Sequence, residues 1–271
     1  MDYAHREVFP SSPLALVAAE VRFSDSARLR QQEIVDAISI ALEPMLPVQD
    51  QFQQADFEVR PGAAPQIRQT PGRNFKNTSS TAVATLTSDR LSLETTAYSH
   101  FPEFREQLLT CCRALVEAGV TPAIRRIGLR YIDEIRLPDA GIANVRDWAK
   151  WIDPSLLGQL ALGPSDAEVL QAEGTVVYHF GQDRGLNFRF AALPQGAVVS
   201  PAALVRAPFD QNLPFFVLDL DGYQDFSGPD ATLLSVDVVA STLDAVHGPS
   251  GATFQASITD DARNTFRRSE K

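Results

Sequence analysis

Apolar and polar positions alternate most clearly in three stretches of the chain. Pro13 to Phe23 reads as a first strand. In Arg125 to Ile135, Ile127, Leu129 and Tyr131 fall on one side, and Arg126, Arg130 and Glu134 on the other. Phe215 to Asp221 is apolar enough for a central strand, broken by Asp219 and Asp221. Two hairpins are predicted. One folds Ala82–Leu86 onto Leu91–Thr95 around a turn at 87–90. The other folds Gly174–Phe180 onto Leu186–Phe190 around a turn at 181–185.

Helical spacing appears four times. Between Ala27 and Leu46, Ile34, Ile38, Ala41 and Met45 share a face. Pro102 opens a helix carrying Phe104, Leu108, Cys112 and Leu115, which Gly119 closes. Pro229 opens a third, with Leu233, Val236, Ala240 and Leu243 on one face. Ser257-Ile258-Thr259-Asp260 resembles a capping box before a last helix through Phe266. A short helix carries Trp148 and Trp151. Residues 61–80, 138–144 and 194–214 are rich in breakers and read as loops. Strands and helices do not alternate one by one. The fold class expected is therefore α+β, an antiparallel or mixed sheet with amphipathic helices on one face. It would form two lobes, 1–138 and 139–271, each with a hairpin, a long strand and a helix; a duplicated architecture is conceivable, although no matching residues link the halves.

Charge changes the picture of partners. Of 271 residues, 24 are Lys or Arg and 34 are Asp or Glu, a net charge of −10. Gripping phosphate backbone needs a basic excess, and no basic run exceeds two residues, so no nucleic-acid partner is expected. No apolar stretch approaches the roughly 20 residues that span a bilayer, and the start lacks a secretory apolar core. The two cysteines, Cys111 and Cys112, are adjacent and poorly placed to bridge each other, which fits a reducing, cytoplasmic compartment.

Chemistry is sparse. Asp219 and Asp221 share one strand face and could hold Mg²⁺ or Ca²⁺ or divide acid and base roles. The plainer reading pairs them with Arg130 across the sheet. Arg126 and Arg130 could grip a carboxylate or phosphate. Trp148 and Trp151 flank Lys150, as aromatics do where partners dock, or they cap a core. His5, His100, His179 and His247 show no metal-ligand spacing, and no nucleotide or serine-hydrolase motif occurs. No metal and no cofactor are expected.

Several segments together resemble a sporadically distributed bacterial family of uncharacterised proteins, defined by a sequence model. They are Leu14–Phe23, Tyr98–Phe104, Arg126–Ile132, Leu218–Asp221, and the tract from Leu243 through His247, Phe254 and Ser257–Asp260 to Phe266. The resemblance implies a bacterial, often horizontally passed, cytoplasmic protein and supplies no catalytic residues. Gly222 departs from the pattern, where a bulkier residue is expected. The functional expectation is a binding or regulatory protein acting on another protein, in an accessory role such as defence or toxin neutralisation, with a homo-oligomer allowed. The alternative is a metal-assisted hydrolase or nucleotide-processing enzyme built on Asp219, Asp221 and Arg130.

Overall fold

A computed structural model describes residues 7–58, 66–164, 166–181, 183–200, 203–228 and 230–268. The chain lays down β1 (Leu14–Phe23), α1 (Gln32–Leu42), β2 (Val48–Glu58), β3 (Gln66–Lys76), β4 (Ala82–Thr87), β5 (Arg90–Thr95) and α2 (Phe101–Glu117). It then lays down β6 (Ile124–Arg136), short 3-10 segments between 138 and 162, β7 (Ala172–His179), β8 (Arg184–Leu193), β9 (Phe215–Asp225), α3 (Val236–Ser257) and α4 (Asp260–Phe266). Among the described residues, nine strands join into one sheet, ordered β2-β3-β4-β5-β1-β6-β9-β8-β7, and every neighbouring pair is antiparallel. This is an α+β architecture. The path is traced twice. A central strand leads through helical segments to a meander, whose last strand returns beside the central one and feeds a helix. β6 is bonded to β1 on one side and β9 on the other, so residues 1–138 and 139–271 build a single sheet.

Alternation along each strand sends one set of side chains into a core beneath the helices. Val17, Ala19, Val21 and Phe23 of β1 meet Ile127, Leu129 and Tyr131 of β6 and Phe216, Leu218 and Leu220 of β9 there. α2 contributes Phe104, Leu108, Cys111, Cys112 and Leu115, and α3 contributes Val239, Leu243 and Val246. His100 caps α2, its Nδ1 accepting from Glu103 N–H at 3.2 Å. His247 is buried, stacked on Phe101 at 3.7 Å, with Nδ1 2.9 Å from the Tyr131 hydroxyl. Gly222 lies where α3 crosses β9. A Cβ there would stand 2.9 Å from the Val246 carbonyl oxygen and 3.0 Å from Ser250 Oγ. The missing side chain lets helix and strand approach.

Several elements differ from the sequence reading. Residues 66–76, read as loop, form β3, paired along its length with β2. Pro71 is tolerated because the β4 ladder reaches only from Arg73 to Lys76, so Pro71 stands where β3 has one neighbour. The inward face of α1 is Val35, Ile38 and Leu42, while Ala41 is exposed. α3 starts at Val236, with Ser235 Oγ accepting from Val238 N–H. Leu233 instead forms a bridge with Ala123 and is exposed; Pro229 lies outside the described residues. The segment Val145–Lys150 is a 3-10 helix. Its three-residue period puts Val145, Trp148 and Trp151 on one side. Trp148, for which the sequence left a partner contact and a core role both open, is consequently inside, 1% exposed and 5.6 Å from the Phe216 ring. Trp151 is half-buried against the core, with Lys150 Nζ 4.8 Å from its ring. Among the described residues, no helix is long and apolar enough to cross a membrane.

Candidate binding site

All the long helices lie on one face of the sheet, so the opposite face of its centre is left to polar side chains. β6 presents Arg126, Gly128, Arg130, Ile132 and Glu134 there, and β9 presents Asp219, Asp221, Tyr223 and Asp225, by the same alternation that buries their neighbours. The register sets Arg130 opposite Asp221 and Ile132 opposite Asp219. Arg130 reaches diagonally. Its Nε donates to Asp219 Oδ1 and its Nη2 to Oδ2, both at 2.7 Å. This two-pronged geometry is the strongest an arginine and a carboxylate adopt. Arg189 adds a 3.5 Å contact to Oδ2. Asp221 accepts from Asn187 Nδ2 at 3.2 Å and lies 3.8 Å from Arg126 Nη2. Arg126 donates to Asp225 at 3.1 Å and stacks over the Tyr223 ring.

The four polar positions singled out from the sequence thus converge on one patch. Three of them, Arg126, Arg130 and Asp221, border a cavity of about 570 Å³ that runs from Phe52 of β2 to Arg130 of β6. Small residues, Ala18, Ser92 and Gly128, make its floor; Arg22, Arg90, Glu20 and Glu94 stand around it. Glu20 pairs with both Arg22 and Arg90. Burial, reinforced by Glu20, raises the pKa of Glu94 against the pull of Arg90 and Arg130. The result is a lattice of alternating charge on a concave surface. No family model, curated protein or solved structure matches the chain. The site must be read from its own geometry.

That geometry closes the carboxylates. Asp219 has both oxygens engaged by guanidinium groups, and Asp221 has an amide and an arginine beside it. Among the described residues, no three His, Cys, Asp or Glu side chains converge as a metal cage. The thiols are remote from the face: burial pushes Cys111 up to about 12 and Cys112 upward too.

Sequence reasoning missed the site's lower boundary. Glu134 is fully enclosed, with Arg136 and Arg206 beside it. Its Oε1 accepts from the N–H groups of Val198 and Val199 at 3.0 and 2.9 Å. Its Oε2 accepts from Arg136 at 2.9 Å and Arg206 at 2.7 Å. Burial works to raise its pKa, but the hydrogen bonds from Arg206, Arg136 and Val199 outweigh burial and hold it below the ordinary value. Arg136 also donates to the Gly196, Asp210 and Leu213 carbonyls and lies over the Phe215 ring. The described residues of the segments 194–200 and 203–214 are thereby clamped over one end of the polar face. The sequence signal was an arginine, Arg206, three positions before Phe209 in a proline-rich loop. Next to Glu134, on the core side of β6, burial and then Asp219 push the Asp133 carboxyl up to about 8.

Proposed function

We propose that this is a non-catalytic binding protein that acts on another protein, meeting it with the helix-free face of the sheet. The observation that carries the reading is the closure of Asp219 and Asp221 by Arg130, Arg126, Arg189 and Asn187. Carboxylates held in ion pairs are poor metal ligands and poor proton shuttles, whereas a fixed lattice of alternating charge selects a partner of complementary pattern and speeds its encounter. The resemblance to a sporadically distributed bacterial family fits an accessory role of this kind, in defence or toxin neutralisation. The test is affinity capture from the native host at ordinary salt, followed by a dissociation constant for the purified pair. Ser92→Arg, which fills the cavity floor, and Arg22→Glu, which reverses a charge at its rim, are each expected to weaken binding about tenfold or more. Binding indifferent to both substitutions refutes the reading. So does a metal-dependent hydrolysis that Asp219→Asn abolishes.

A further inference from the structure

The two edges of the sheet are built differently. β2, at one edge, has the sequence VQDQFQQADFE, with three carboxylates and four glutamines. Charge and polarity of this kind protect an edge from pairing with other strands. β7, at the other edge, has the sequence AEGTVVYH and no Lys, Arg or Pro. Its register with β8 runs without a shift from Ala172 to His179, so no bulge twists it away. Its apolar side chains are nevertheless open: Val177 is 64% exposed, and Tyr178 and the following Phe180 are each 41% exposed. A long, flat, apolar edge is what natural sheets avoid unless something pairs with it.

The backbone hydrogen bonds decide which groups are available. Phe180 N–H donates to the Arg184 carbonyl at 2.8 Å, and the register continues through Tyr178↔Leu186, Val176↔Phe188 and Gly174↔Phe190. Inward-bonding and outward-bonding residues alternate in an antiparallel ladder. The even-numbered residues therefore bond to β8, and Glu173, Thr175, Val177 and His179 turn their N–H and C=O groups to the free edge.

We infer that β7 pairs antiparallel with β7 of a second copy of this chain, about a two-fold axis at Val176. This register matches outward-facing residues to outward-facing residues, with Glu173 opposite His179 and Thr175 opposite Val177, for about eight hydrogen bonds. It is also the register that joins opposite polarity: each carboxylate meets an imidazole instead of a second carboxylate. His179 Nδ1 already accepts from Gly181 N–H at 3.4 Å, which leaves Nε2 as the donor toward Glu173. On the helix side, Val176 meets Val176, and Tyr178 falls opposite Gly174, over which the Phe190 ring lies. The apolar groove of about 350 Å³ between Tyr178, Phe180 and α3 then faces its own symmetry mate, since the axis stands perpendicular to the sheet and both helix layers lie on one side. The closed two-fold contact uses one patch twice.

The test is sedimentation velocity on the full chain from about 1 to about 100 µM, the range of ordinary homodimer affinities. Twice the chain mass is expected at the upper end. Val177→Pro removes an outward N–H and no bond to β8, so it should leave a folded monomer with unchanged circular dichroism. If it loses that signal, Val177→Lys takes its place and decides in the same way. Glu173→Lys should weaken the dimer about tenfold or more, and Glu173→Lys with His179→Glu should restore it. A wild-type monomer throughout the range overturns the inference. So does a dimer that survives the Val177 substitution, or one that responds to Glu173→Lys without rescue. A wild-type monomer whose edge captures a strand of another protein also overturns it.

Discussion

Glu134→Gln isolates what the buried clamp contributes. The substitution keeps the volume and still lets an amide oxygen accept from the N–H groups of Val198 and Val199. It places an amide NH₂ where Arg136 and Arg206 now donate to Glu134 Oε2, so donors face donors. Hydrogen bonds to a charged group are each worth about 1.5–3 kcal/mol, and breaking a buried pair from one side costs about 3–5 kcal/mol. Arg136 keeps three carbonyl acceptors and two rings, whereas Arg206 keeps, among the described residues, the Val199 carbonyl and the Phe209 ring. The lower end, about 3 kcal/mol, is therefore expected, mostly from Arg206. Urea denaturation reads this as a fall in midpoint of about 1–3 M, at a slope of about 1–3 kcal/mol per M. Limited proteolysis should show new cleavage within 194–214. The neighbours hold the folded carboxyl below its ordinary 4.5. The stabilisation is then complete above that pH and drains as the pH falls through the lower folded value, so wild type and variant should converge in acid. A Gln variant within about 1 kcal/mol of wild type at neutral pH, with its loop no easier to cut, refutes the clamp.

Three further outcomes are expected. Arg130→Ala should destabilise by about 1–3 kcal/mol, between the surface and buried limits, because the arginine is half-exposed while Asp219 is nearly covered. A double cycle should couple Arg130 strongly to Asp219 and weakly to Asp221; equal coupling to both denies the two-pronged pair. Asp133→Asn should stabilise the protein near neutral pH by on the order of 3–4 kcal/mol, because the folded carboxyl titrates at about 8 against 3.8 for the ordinary group. A folded pKa raised in this way makes stability fall as the pH climbs from about 4 to about 8, so the gain should vanish on acidification; a variant less stable than wild type at neutral pH counts against it. Cys111 and Cys112 should resist a thiol reagent until unfolding, and labelling faster than global unfolding contradicts their burial.

The centre of the sheet was legible because β6 and β9 alternate over long runs, and their charges fall where an alternating period puts them. That period puts Arg130 on one face with Asp219 and Asp221, whereas the choice of Asp219, reached on the diagonal, is set by the register of the folded sheet. The β2–β3 hairpin was hidden by Pro65, Pro71 and Gly72, which mark turns in most contexts. Pro71 sits in a strand only because β4 stops short of it, and a strand's neighbours are a tertiary fact. The clamp on Glu134 was unreadable for the same reason, since its partner Arg206 lies 72 residues away. Trp148 beside Lys150 fits either a docking patch or a core; the three-residue period of a 3-10 helix, which sequence rarely announces, decides for the core. Gly222 looked anomalous until α3 was seen crossing above it.

A sheet whose central strand is made well before its neighbour has a consequence for synthesis. β6 emerges with one flank ready to pair with β1, but its other flank belongs to β9, which begins at Phe215. At about 5–20 residues per second, that flank waits on the order of 4–16 s on the ribosome. Throughout the wait, this 13-residue strand offers a bare edge, with Asp133 and Glu134 still lacking the surroundings that will enclose them. Charged residues at this point of the strand keep the nascent edge hydrated, and the same residues are later closed in by the last strand and the loop before it.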